Sequence, residues 1–432
     1  MNTVAKTVGP VKQVHSVSNG WGGRRRFALA VGLLLAAIIP ASMLIMLGLN
    51  IGDFDLIVKT ILLNSIAISF GMYFIFSMES FPGNQSTLFV LPAFLISFSI
   101  TLALMIFLRI DYSRILLFSA IIIIVIWMYI ITIFSGTKDL RVGIVPFGGI
   151  DLLTEIPRVQ WVSVVKPDLE VLAEIDAIVV DLRADLPDVW ERFLADVTLA
   201  GTAVFHVKQI EESLTGRVRI DHMSENSFGS LVPLKSYLVL KRLTDVLTAI
   251  VALIVLFPFL VLIGIAIRLD SPGRAIFRQT RMGFRGVTFT MLKFRTMRHD
   301  EASESGLRNA ITEEADPRIT RFGKFMRRTR IDELPQIINI LRGEMSWIGP
   351  RPEAEVLSEW YEREIPFYRY RHVIRPGITG WAQVNQGHVA EVGDVMGKLE
   401  YDFYYIRHFS IWLDALVVAR TILIMISGFG AR

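Results

Sequence analysis

The chain has no cysteine among its 432 residues, and that absence removes several chemistries together. Disulfide scaffolds, cysteine-ligated zinc, iron–sulfur clusters and thiol nucleophiles are all excluded. No G-x-G-x-x-G follows any of its β-rich runs, so the dinucleotide fingerprint is missing. The D-x-x-D-G-x-x-A-R signature of transferases that use CDP-activated lipids is missing too. Nothing reads as a recognition helix or an RNA-binding signature, so no nucleic-acid partner is expected. The first long apolar run exceeds a signal-peptide core and has no small-residue cleavage site behind it, which predicts a retained anchor.

Charge is comparatively sparse, at 20% of residues, against 52% hydrophobic residues and a mean hydropathy of +0.48. A chain this apolar is expected to place part of itself in lipid. Its net charge of +4 and isoelectric point near 9.2 are a mild cationic surplus of the kind that cytoplasmic loops facing anionic lipid produce.

Residues 1–26 form a polar tail ending in Arg24, Arg25 and Arg26, the flank expected on the cytoplasmic side of a first membrane helix. Four apolar runs follow, about 27–49, 56–78, 87–108 and 113–134, each long enough for a hydrocarbon core about 30 Å thick. Their short connections predict an antiparallel four-helix transmembrane bundle over 27–134. The loop around Asp53 and Asp55 faces out, and Lys138 and Arg141 return inside, while Arg109 and Arg114 run against the trend. Lys59 is read as snorkelling from a helix end.

From Arg141 the composition turns soluble. Short β-rich runs at 141–147, 161–165, 177–181 and 203–207 alternate with helix-compatible segments, which predicts a small parallel, Rossmann-like α/β domain over 141–230. Lacking the dinucleotide fingerprint, it is assigned a structural or regulatory role. A second apolar stretch, 243–267, is interrupted at Pro258. Lys235, Lys241 and Arg242 precede it, and Arg268, Arg274, Arg278 and Arg281 follow it. A spanning helix would strand one cationic cluster on the far side, so a re-entrant helix that turns near Pro258 is expected. The remainder, 236–432, reads as a catalytic domain. Stretches 275–281 and 286–294 look extended, and 411–426 is an apolar helix with Asp414 and Arg420 on its polar side.

Within that domain six cations, Arg318, Arg321, Lys324, Arg327, Arg328 and Arg330, come just ahead of the acid pair Asp332 and Glu333, and Pro350-Arg351-Pro352 follows. Taken alone, this is the pattern of a solvated basic helix followed by a capped one. Its setting beside a membrane helix turns the reading toward phosphate chemistry, in which carboxylates hold a divalent cation and guanidinium forks hold phosphate oxygens. Asp332 reads as an N-cap with Pro335 in the first turn of the helix behind it. The positive field there would keep the acid pair ionised for metal binding or nucleophilic attack.

With these residues in place, the C-terminal half resembles the bacterial sugar transferase family, the polyprenyl-phosphate hexose-1-phosphate transferases. The matches run in order: Lys241-Arg242 with Asp245, the Pro258-broken helix, Ser271-Pro272-Gly273, and Phe277-Arg278-Gln279 with Arg281 and Gly283. Lys293-Phe294-Arg295-Thr296-Met297, Asp316-Pro317-Arg318 and Asp332-Glu333-Leu334-Pro335-Gln336 come next. Pro350-Arg351-Pro352-Glu353, the turn from Pro376 to Trp381 and Tyr401-Asp402 complete the series. The N-terminal helices and α/β domain look like the large subclass of exopolysaccharide- and O-antigen-initiating enzymes. The segment 387–397 does not align with the family pattern.

The resemblance implies a mainly α, monotopic phosphoglycosyl transferase domain at the cytoplasmic face of a bacterial inner membrane. It implies that Asp332 attacks the sugar-linked phosphate of a UDP-hexose, releases UMP and carries the phosphosugar as an aspartyl ester to undecaprenyl phosphate. It implies Mg²⁺ held by Glu333 with Asp332, and phosphate oxygens held by Arg351, Arg318, Arg328, Lys293 and Arg295. A homo-oligomer is compatible with it. The competing reading is a non-enzymatic scaffold for polysaccharide assembly, in which the acid pair is only a helix cap.

Overall fold

The computed structural model describes residues 27–40, 42, 54–78, 86–134, 140–150, 153, 156, 159–219, 233, 235–298, 318–386 and 392–427. The chain divides into two compact units, Met1–Gly216 and Arg217–Arg432. In the first unit, α1 (Phe54–Met78), α2 (Ser86–Phe107) and α3 (Arg114–Phe134) occupy the second to fourth apolar runs. Each is long and apolar enough to cross a membrane. Of the first run, a shorter apolar helix, Phe27–Ala36, is described, and the rest lies largely outside the described residues.

These helices bury one another's small and aromatic side chains. Ala67, Ile68 and Met72 on α1 meet Phe94 and Phe98 on α2 and Ala120, Ile124 and Met128 on α3. Gly71 makes this approach possible, since a Cβ there would stand 2.6 Å from the Phe94 ring. Buried Asn64 donates to the Leu116 carbonyl at 3.1 Å, while Lys59 pairs with Asp55 one turn away at the exposed helix start. Outward, Leu62, Ile66, Phe70, Leu95, Ile122 and Ile126 are exposed, the surface a lipid-facing bundle presents.

After α3 come β1 (Leu140–Ile144), β2 (Val159–Ser163), β3 (Ala177–Val180), α4 (Asp188–Leu199), β4 (Ala203–His206) and α5 (Val207–Thr215). The four strands form one parallel sheet in the order β2-β1-β3-β4. Its two faces are covered by separate apolar clusters, one with Trp190, Phe193 and Val197 of α4, the other with Val207 and Ile210 of α5. Continuous burial of β3 on both faces explains its unbroken Ala-Ile-Val-Val run.

The second unit begins with α6, Lys235–Asp270, a single 36-residue helix about 54 Å long at 1.5 Å per residue. Helix continues through Pro258 in place of the turn expected there. Proline deletes one helical hydrogen bond, and the flanking turns are enough to carry the helix past it. One face of α6 packs along its length on the rest of the unit: Ala249, Leu253 and Leu256 against Met291, Ile337 and Ile340, then Leu260, Ile263 and Ile267 against Phe294 and Met326. Its other face, including Leu247, Val251, Ile254, Val255, Leu262 and Ile265, is exposed.

β5 (Ile276–Met282) and β6 (Thr288–Phe294) form an antiparallel hairpin. α7 (Arg321–Thr329), α8 (Gln336–Arg342), β7 (Ser346–Ile348) and α9 (Glu355–Glu364) follow. β8 (Gly377–Thr379) pairs in parallel with β7, ahead of α10 (Trp381–Gln386), α11 (Val392–Arg407) and α12 (Ile411–Ser427). Asp414 on α12 faces inward, not to a polar side: it accepts Lys241 Nζ at 2.6 Å and Tyr237 OH at 2.7 Å, with Tyr405 OH on its second oxygen. This cluster clamps the root of α6 to the domain.

Candidate active site

Asp332 and Glu333 lie in one 3-10 turn, Ile331–Glu333, between α7 and α8. Arg330 leads into it from the left-handed region (φ 55°, ψ 18°), a conformation that costs a non-glycine residue free energy and sharply redirects the chain. The helix proper starts only at Gln336, with Pro335 at the cap and no side-chain capping bond. Asp332 is therefore not the N-cap that its spacing suggests: the 3-10 turn comes first and shifts the helix start beyond it.

α8 holds this turn from behind. Asn339, fully buried, accepts from Leu292 N at 3.0 Å and donates to Thr290 O at 2.8 Å, tying α8 to β6. At the far end of α8, Arg242 of α6 donates to Ile340 O and Leu341 O at 2.6 and 3.0 Å. A cation there satisfies carbonyls that the helix leaves open. On the other side, α7 docks on the strand exit through Gly323, where a Cβ would stand 2.0 Å from Thr296 O.

The two carboxylates differ in their partners. Glu333 Oε1 accepts Lys293 Nζ at 3.0 Å and Arg351 NH2 at 2.9 Å, while its buried Oε2 has no hydrogen-bond partner among the described residues. Burial alone would raise the Glu333 carboxyl, but Arg351, Lys293 and Arg330 outweigh it and hold it well below the ordinary carboxylate range. Asp332 is raised, first by burial and then by the charge of Glu333, against the opposing pull of Lys293, Arg327 and Arg351. The field of the α8 N-terminus does not decide its ionisation. Lys293 is lowered by burial despite Glu333.

The structure thus gathers Asp332, Glu333, Lys293 and Arg351 into one buried charge cluster. Arg295 lies elsewhere: it donates to Pro272 O at 2.8 Å and to Ser271 O and Oγ at 2.6 and 2.9 Å, closing the turn that follows α6. Arg328 is exposed on α7. The Arg318 carbonyl accepts Arg298 N at 2.9 Å. Asp316, Pro317 and residues 387–391 lie outside the described residues. Sequence reasoning gave no site role to Arg327, whose Nε donates to Thr296 Oγ1 at 2.9 Å and whose charge acts on Asp332. It likewise missed Arg281, which burial lowers to about 10 despite Glu353. In sequence both merge into runs of cations, and only the tertiary fold separates them.

Chemically, the arrangement offers a carboxylate free to attack beside one fixed by two cations, with a planar donor fork at hand for phosphate oxygens. Glu333 Oε2, a buried acceptor, and Asp332 together meet the modest demand of Mg²⁺, which takes one or two carboxylates and completes its sphere with water and substrate phosphate. Among the described residues no cluster of three or more acidic or histidine ligands exists.

Comparison with known proteins gives concordant matches. The family model described as Bacterial sugar transferase matches residues 236–428. The UDP-N-acetylgalactosamine-undecaprenyl-phosphate N-acetylgalactosaminephosphotransferase of Aeromonas hydrophila is 42% identical over 355 residues, 82% of this chain and 83% of that protein. The UDP-glucose:undecaprenyl-phosphate glucose-1-phosphate transferase of Xanthomonas campestris pv. campestris is 43% identical over 187 residues, covering 43% of this chain and 38% of the relative.

Proposed function

Because the chain belongs to the bacterial sugar transferase family, we propose that it transfers a sugar 1-phosphate from a UDP-activated sugar to undecaprenyl phosphate through a covalent enzyme intermediate. This is the first step in building a surface polysaccharide. The observation that carries the reading is the asymmetry of the acid pair: Glu333 is neutralised by Lys293 and Arg351, and Asp332 beside it is not.

In the first step Asp332 Oδ attacks the sugar-linked phosphorus. The bond from that phosphorus to the bridging oxygen breaks, UMP leaves, and the sugar phosphate remains as an aspartyl ester. In the second step a phosphate oxygen of undecaprenyl phosphate attacks the same phosphorus and returns the Asp332 carboxylate. No proton is gained or lost overall. Arg351 holds phosphate oxygens through its fork, and Lys293 supplies charge to the same place. When bound at Glu333 and Asp332, Mg²⁺ supplies positive charge that offsets the phosphate oxygens and favours ionised Asp332.

The packing of α6 supports a monotopic placement. A helix crossing the bilayer would expose its whole circumference to lipid or to other spans. Here one face of residues 249–267 packs in part against the same domain that holds the acid pair, with Ala249, Ile263 and Ile267 buried, and the opposite face is apolar and exposed. We take α6 to lie along the cytoplasmic leaflet of the inner membrane, its exposed apolar face in lipid and its packed face toward the domain, so that the site meets the phosphate of a very hydrophobic acceptor. The relative that matches across most of the chain is named for N-acetylgalactosamine, and we propose that sugar as the first donor to test.

The test is UMP release by membranes containing the protein, across UDP-N-acetylgalactosamine, UDP-glucose and UDP-galactose. Sustained release is expected only with both Mg²⁺ and undecaprenyl phosphate present, and full turnover by Asp332→Asn would remove Asp332 as nucleophile.

A further inference from the structure

The turn presenting Arg351 is gripped by its own carbonyl oxygens. Four in succession each receive one donor: Pro350 O from Gly377 N at 3.0 Å, Arg351 O from Arg371 NH2 at 3.0 Å, Pro352 O from Arg281 NH1 at 3.1 Å, and Glu353 O from Met282 N at 3.0 Å. Two of these donors are backbone amides of neighbouring strand segments. The other two are guanidinium groups.

Arg371 is the more deeply placed of the two, with its side chain 2% exposed. It sits on the 3-10 segment Tyr368–Val373, far from the acid pair in sequence. Its fork is oriented by Asp402, which takes Nε at 3.1 Å and NH2 at 2.8 Å. Tyr368 OH takes NH1 at 2.6 Å. Glu353 lies 3.9 Å from NH1 and is itself paired with Lys398. These charges hold Glu353 down to about 2, although burial alone would raise it.

A buried ion pair of this kind contributes little net stability compared with apolar residues filling the same volume. What it supplies here is direction: a rigid donor, fixed from behind by Asp402, aimed at the carbonyl of the residue that reaches Glu333. Proline on either side of Arg351 restricts the backbone torsions, so the carbonyl grip also sets where the Arg351 side chain begins.

We propose that Arg371 is a positioning residue for the transfer reaction, acting through the backbone of Arg351 to place that guanidinium against Glu333 and the donor phosphate. The inference rests on the proposed transferase reading. Arg371 does not touch the acid pair, so its contribution is expected to vanish when Arg351 can no longer make its planar contact.

The experiment is a double-mutant cycle on the full chain in nanodiscs. Arg371→Lys keeps a buried cation beside Asp402 but loses the planar fork, whose Nε and NH1 are held by Asp402 and Tyr368 and so aim NH2 at the Arg351 carbonyl; a flexible ammonium is not aimed in that way. In the native background it is expected to lower kcat about 10- to 100-fold, the scale of a small misplacement, with a lesser change in KM for the UDP-sugar. In an Arg351→Lys background the same substitution is expected to cost less than twofold. An equal loss in both backgrounds, or no loss in the native one, overturns the proposal. If Arg371→Lys does not fold, Asp402→Asn, which loosens the hold on Arg371 and leaves the fork in place, is put through the same cycle with the same criteria. Absence of UMP release by the unsubstituted protein would instead refute the transferase reading.

Discussion

Replacing Arg351 with methionine isolates the electrostatic role of the residue from its proposed contact with substrate. Glu333 Oε1 would lose its 2.9 Å partner and keep only Lys293. Removing one member of a buried ion pair costs about 3–5 kcal/mol, because a charge is left without compensation. For a unit the size of Arg217–Arg432, each kcal/mol moves the melting temperature by roughly 2–4 °C, so a drop of about 6–20 °C is expected. The sign of the pH dependence follows from the same groups. In the native protein Glu333 is depressed, and its contribution is present above the unfolded carboxyl pKa. In Arg351→Met, burial works against a weaker opposition, so ionised Glu333 becomes a liability that protonation relieves. The gap between native and variant is therefore largest well above the unfolded carboxyl pKa and narrows as the pH falls toward it. The assay is melting of the purified protein in nanodiscs with EDTA, which removes metal from the comparison. Arg351→Lys is expected to recover much of the loss. Equal melting of Arg351→Met and the native protein at pH 7.5, or a gap that widens with acid, would refute the reasoning.

Other consequences can be measured in the same preparation. Burial lowers His372 to about 3, whereas the unfolded imidazole protonates near 6.5. The unfolded state thus binds the extra proton between those values, and stability falls by ~2 kcal/mol from pH 6.5 to pH 5. His372→Gln should flatten that slope, and an unchanged slope would clear His372 of the effect. Gly323→Ala would drive a methyl into Thr296 O, which predicts a loss of ~1–3 kcal/mol in melting together with reduced activity as α7 and Arg327 shift. A fully active, native-like Ala variant contradicts that packing. Asn339→Ala leaves Leu292 N and Thr290 O unpaired at ~1–3 kcal/mol each, so it should destabilise more than Asn339→Asp. The reverse order would contradict the bonding described.

Much of the architecture was legible because it rests on local patterns. Apolar length located α1, α2 and α3, short β-rich runs located the parallel strands, and the extended stretches 275–281 and 286–294 became β5 and β6, whose pairing into a hairpin was not read. The acid pair and the Pro350-Arg351-Pro352 turn stood out by spacing. What escaped notice depends on contacts between residues far apart in sequence. Asp414 read as the polar side of an apolar helix, yet Lys241, more than 170 positions earlier, draws it inward. Arg295 resembled a phosphate ligand because a cation in a motif looks alike whether it meets substrate or the Ser271 and Pro272 carbonyls. Asp332 resembled a helix cap because nothing local foretells that Arg330 adopts positive φ and inserts a 3-10 turn. Arg371 and Asp402 carried no signal as a pair, since their proximity exists only once α11 packs against Tyr368–Val373.

The covalent step is the centre of the account, and one mass measurement addresses it directly. The purified protein is incubated with UDP-N-acetylgalactosamine and Mg²⁺ without undecaprenyl phosphate, quenched, digested and analysed by mass spectrometry. The account predicts a sugar-phosphate adduct on the peptide containing Asp332, absent from Asp332→Asn and discharged when undecaprenyl phosphate is added. Sustained UMP release with acceptor present, but with no adduct or with an adduct on another residue, would contradict it.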